Sequence, residues 1–74
     1  MQVIIEMDSD LADVAGDCGA LPEVLAWTLN EIARDMTHRD HDLTERTVIH
    51  GTRVWQAVGV EATNLDAATY WLAP

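Results

Sequence analysis

Val3, Ile5 and Met7 alternate with Gln2, Glu6 and Asp8, the period-two pattern of a half-buried strand over residues 2 to 7, broken only by Ile4 on the polar side. The next stretch, MDSDLADVAGDCG, has no periodicity strong enough to require an element. It reads as a loop, with at most a short turn of helix at Leu11 to Val14. A helical period then sets in: at about 100° per residue, Leu21, Val24, Leu25, Thr28, Leu29, Ile32 and Met36 gather on one side of LPEVLAWTLNEIARDM. Pro22 and Glu23 suit a first turn, where a missing N–H does no harm and a carboxylate meets the helix dipole. The run HRDHD is wholly polar and ends the helix.

Alternation returns in TVIHGTRVWQAVGV, and Gly51-Thr52 suits a two-residue type II′ turn. The pattern predicts a hairpin in which Ile49 faces Val54 and Val48 faces Trp55. Asn64 is a fitting N-cap for a last short helix, Leu65 to Leu72, with Pro74 beyond it. The expectation is therefore one α+β domain over residues 1–74, in the order β-α-β-β-α. A three-stranded, mostly antiparallel sheet packs on the main helix, and the short C-terminal helix covers the sheet's second face. If that cover fails, the second face is a surface for a partner or a second copy, since a core this small leaves only about 3–5 kcal/mol of net stability.

Charge changes the picture more than length does. Thirteen acids face four bases, all of them arginine, and Glu6, Asp8, Asp10, Asp13, Asp17, Glu23 and Glu31 precede the first of these at Arg34. A formal charge of −9 repels phosphate, which argues against direct nucleic-acid binding and in favour of encounter with basic surfaces. Solubility or adaptation to salt would leave the same composition. The single cysteine, Cys18, cannot form an internal disulfide and points to a reducing, cytoplasmic setting. The N-terminus has neither a basic leader nor a long apolar run, so no membrane association is expected.

Chemistry of other kinds finds little footing. Counted from Asp8, the fifth, sixth and twelfth places of a calcium loop hold Ala12, Asp13 and Gly19, which is the wrong set. His38, His41 and His50 with Asp40 and Asp42 offer donors to a divalent ion at a spacing with little specificity. No nucleophile motif and no glycine-rich phosphate loop is present. The expectation is a non-enzymatic protein that needs no cofactor.

What stands out is tryptophan. Trp27 projects from the polar side of the main helix among Glu23, Glu31 and Arg34, so these four, together with Asp8, Asp10, Asp13 and Asp17, form the expected protein-binding set. Trp55 and Trp71 are expected in the core.

The succession MQVIIEMDSD, an acidic loop, EVLAWTLNEIARDM and TVIHGTRVWQAVGV resembles a group of short bacteriophage-encoded β-α-β-β proteins over roughly residues 1 to 61. It departs from them in having His50-Gly51 at the turn and the added tail from residue 62 onward. In size and charge the chain also resembles anti-CRISPR proteins. The first resemblance implies a β-α-β-β layout and a phage setting. The second is one of general character without a shared motif, and with the charge it leads to the expectation of an inhibitor in a host cell that meets the basic surface of a host protein or nucleoprotein complex. A small homodimeric or structural protein, and an antitoxin or regulatory partner, are the alternatives.

Overall fold

The computed structural model describes residues 1–61 and 65–74. The chain runs β1 (Gln2–Met7), α1 (Ser9–Asp17), α2 (Leu21–His38), β2 (Thr47–His50), α3 (Thr52–Ala57) and β3 (Asp66–Ala73). The fold is α+β, with a three-stranded antiparallel sheet in the order β1-β3-β2 packed on α2. Its shortest extent, 16 Å between Cα positions, leaves room for one sheet and one layer of helices.

Three segments differ from the sequence reading. The acidic stretch is a helix rather than a loop. Asp8 ends β1 and caps α1, its Oδ1 accepting from the Leu11 N–H at 3.0 Å, and Leu11 and Ala15 are fully buried beneath. Gly19, at φ 73°, then reverses the chain: its N–H donates to Gly16 and that of Ala20 donates to Ala15, a Schellman ending that sets α2 directly against α1.

The hairpin does not form. Gly51 starts α3 instead of a turn, and Val54, Trp55 and Val58, spaced for one side of a helix, face inward. Neither the Ile49–Val54 nor the Val48–Trp55 pairing exists, because Val48 and Ile49 pair with Thr69 and Ala68 of β3. Gly59, at φ 86°, ends α3 with the same motif, Val60 donating to Trp55.

Residues expected as the final helix are the central strand. Thr69, Tyr70 and Trp71 are branched or aromatic at a place buried between two neighbours, where side-chain packing favours extended backbone. Asn64, the expected cap, lies outside the described residues.

On α2, Val24, Thr28 and Ile32 are the buried line, and Thr28 returns its hydroxyl to the Val24 carbonyl at 2.8 Å. Leu21, Leu25 and Leu29, expected in the core, lie on the flank at 40%, 41% and 42% exposure. The helix is rotated away from them because the sheet beneath is narrow and α1 and α3 fill only one end. Two adjoining clusters make the core: Leu11, Ala15, Val24, Val54, Trp55 and Ala67 under α1 and α3, and Ile32, Ile49, Ala68 and Tyr70 under the second half of α2. Trp55 is core as expected. Trp71 is only half buried, on the helix-free face of the sheet opposite Ile4, with the Arg46 guanidinium 4.2 Å above its ring.

Candidate protein-binding site

The expected site residues fall on two surfaces. Asp10, Asp13 and Asp17 recur at i, i+3 and i+7 along α1, within about 60° of one another around the axis, all exposed and opposite Leu11 and Ala15. Asp8 is separate from them, half buried and engaged as the cap. Asp10, in the first turn, suits the helix dipole, whereas the crowding of the three carboxylates and the place of Asp17 weaken the helix that carries them. Asp10 with Asp13 and Asp13 with Asp17 are like-charge neighbours, each costing about 0.2–0.5 kcal/mol. Asp17 also stands in the last turn, where the helix dipole disfavours an anion and no basic residue offsets it.

The second surface is a cleft of about 360 Å³ between α2 and α3, lined by Trp27, Asn30, Glu31, Arg34, Arg53 and Val54. Trp27 is 50% exposed at its rim. Arg34 and Glu31 stand 3.9 Å apart, a loose surface pair that leaves both available. Glu23 lies one turn earlier on α2, exposed, in the helix's first turn. Trp27, Glu31 and Arg34 are thus brought together as expected, while Arg53 and Asn30 were missed. The cue for Arg53 was the helical spacing of Val54, Trp55 and Val58, which the alternation of TVIHGTRVWQ concealed.

Past Arg34 the cleft opens onto a groove between α2 and β2, reaching His38, Arg39, Val48 and His50. Its wall is pinned by a polar network. The Tyr70 hydroxyl donates to Asp35 Oδ2 at 2.5 Å, and the Arg39 Nε–H donates to Oδ1 at 2.8 Å. His41 Nε2 lies 3.3 Å from Thr47 Oγ1 and 3.4 Å from the Tyr70 oxygen. Burial, and then the Asp35 carboxylate that the hydroxyl serves, push the Tyr70 pKa up to about 12. Asp42, in the adjoining turn, is held below the ordinary carboxylate range by the hydroxyl and N–H of Thr44.

A pH test follows. Tyr70 keeps its proton to higher pH when folded than when unfolded, so its contribution is intact below about pH 10 and is lost as pH rises towards 12, by up to about 2–3 kcal/mol. The chain has one tyrosine and no lysine, so Tyr70 is its one phenol and no side-chain amine titrates beside it. Urea unfolding at pH 9 and pH 11.5 should show the loss, and Tyr70→Phe, less stable at pH 9 by about 1–3 kcal/mol, should not lose stability further. An equal alkaline loss in the variant would remove Tyr70 as its source.

Among the described residues, no three His, Cys, Asp or Glu side chains converge as a metal site requires, and no helix is long and apolar enough to cross a membrane. Comparison of the chain with protein-family models, with curated proteins and with solved structures returns no match.

Proposed function

We propose that the chain is a non-enzymatic protein-binding module that presents the α1 carboxylates to an arginine- or lysine-rich surface of a nucleic-acid-handling host complex and inhibits it by competing with phosphate. The observation that carries this reading is the face formed by Asp10, Asp13 and Asp17: it is maintained at a cost to its own helix, with no base among residues 1–31 to balance it. Spaced carboxylates on a rigid helix attract basic side chains at long range and speed encounter. The Trp27 cleft, with Arg34 and Arg53, supplies the close contacts that set how long the complex lasts. The resemblance to phage proteins, with the likeness in size and charge alone to anti-CRISPR proteins, is what suggests a host defence complex as the partner.

The test uses a bacterial strain whose active CRISPR–Cas system blocks a targeted phage. Expression of the chain should restore plaques, and the triple variant Asp10→Asn, Asp13→Asn, Asp17→Asn should restore at least about tenfold fewer while folding as well as the parent. Asp8 is left in place because it caps α1. Failure of the parent chain to restore plaques would reject the inhibitor reading for that system. Equal restoration by the triple variant would reject the role of the acid.

A further inference from the structure

We propose that two copies of the chain pair edge to edge through β1, forming one six-stranded antiparallel sheet with both α2 helices on the same face. The sheet has two edges, and they differ. β2 is four residues long, is irregular between Ile49 and His50, and runs directly into Gly51 and α3. Such an edge is poorly suited to further pairing. β1 is six residues long, pairs with β3 in unbroken register and contains neither proline nor lysine; Glu6 is its one charge. Apart from that glutamate it has none of the usual protections of an edge.

Parity decides the geometry. The Asp8 N–H donates to the Ala67 carbonyl, across the register that pairs Glu6 with Thr69 and Ile4 with Trp71. In an antiparallel ladder the residues facing one neighbour alternate, so the even positions serve β3, and the N–H and C=O groups of Val3, Ile5 and Met7 point outward. A two-fold pairing must therefore set odd positions opposite odd ones. With Ile4 on the axis, Val3 meets the second copy's Ile5, and Glu6 meets Gln2 instead of another glutamate. Charge permits this register.

The same parity aligns the faces. Val3, Ile5 and Met7 lie on the helix side of the sheet, so both helix layers fall on one side and meet across the axis. Glu31, Arg34 and His38 line the groove that α2 forms with β2, which leaves the opposite flank of α2, bearing Leu25 and Leu29, on the β1 side. Val3, in the edge strand itself, is 54% exposed. The apolar positions that α2 leaves uncovered therefore border the less guarded edge, and a second copy would cover both together. Two chains of −9 repel each other, so the pairing should tighten as salt rises. Binding to a basic partner responds to salt in the opposite direction.

Sedimentation velocity from about 1 μM to 1 mM protein, in about 0.05 M and 0.5 M sodium chloride, should show a salt-strengthened dimer with a Kd of about 1–100 μM. Val3→Pro removes only an outward N–H from an edge strand, and Leu25→Glu with Leu29→Glu changes exposed helix positions, so both variants should keep the monomer's circular dichroism. Each should weaken the dimer at least about thirtyfold, as loss of a binding hot spot does. A monomer at every concentration overturns the proposal. So does a dimer that survives both variants, and one that instead responds to Val48→Glu would be assembled through the helix-free sheet face.

Discussion

Gly51→Ala should lose most of its stability, about 3 kcal/mol. A Cβ at this position would stand 2.3 Å from the Ala67 Cβ and 3.4 Å from its Cα. The backbone is not at fault, since φ is −114°, open to any residue. The difficulty is that neither neighbour can move. Gly51 donates its N–H to the Leu65 carbonyl at 2.9 Å and accepts from the Trp55 N–H at 2.8 Å, which fixes it at the junction of β2 and α3. Ala67 belongs to the central strand, is fully buried and has no flexible end to swing aside. Overpacking ordinarily costs about 1–3 kcal/mol, and a contact this short belongs at the top of that range. In a domain with about 3–5 kcal/mol to lose, the urea midpoint should fall by more than half. Gly51→Ala with Ala67→Gly removes the collision and should recover all but the cost of glycine in a strand, about 1 kcal/mol. A single variant as stable as the parent would show that β3 yields at Ala67.

The second large effect contrasts two tryptophans given the same substitution. Trp55→Ala should cost about 3–5 kcal/mol and leave little folded protein, whereas Trp27→Ala should stay within about 0.5 kcal/mol of the parent. Trp55 fills the cluster between α3, α1 and β3, and its indole N–H donates to the Asp66 carbonyl at 3.1 Å, so truncation leaves both a cavity and an unpaired acceptor. Trp27 is half exposed and makes none of these contacts. Thermal unfolding of the two variants side by side decides the matter. If Trp27→Ala unfolded as readily as Trp55→Ala, the cleft would be part of the core and no surface for a partner.

How far the fold can be read from the sequence differs by segment, and the reasons are physical. β1 and α2 are legible because each has one buried side and a clear period. α1 is obscured by its acid: the aspartates that read as a loop occupy the cap and the solvent side, while Leu11, Val14 and Ala15 supply a helical spacing too short to count alone. Residues 52–57 alternate as a strand would, yet Val54 and Trp55 are adjacent and both buried, an arrangement open to a helix in this position. The segment 66–73 could not be assigned by period at all. A central strand touches neighbours on both edges and reads as a continuous apolar run, which the spacing of Leu65, Ala68 and Leu72 made helical. Of the site, the exposure of Trp27 and its company with Glu31 and Arg34 were legible, since they depend on α2 alone. Arg53 was not, because it reaches the cleft from an element of the wrong predicted kind.

The position of β3 between β1 and β2 has a consequence for how the protein comes into being. Neither outer strand bonds to the other; Gln2 waits for Ala73, and Thr47 for Tyr70. During synthesis the helices can form locally as they emerge, but no two strands can pair until residues 66–73 are free. Closing the β1–β3 contact spans nearly the whole described chain, so folding should be governed by one late, long-range step, slower than its size and helix content suggest. Until then Val3, Ile4 and Ile5 are an unpaired apolar segment in a nascent chain, and the acid of residues 6–17 that follows them is well placed to keep such chains apart.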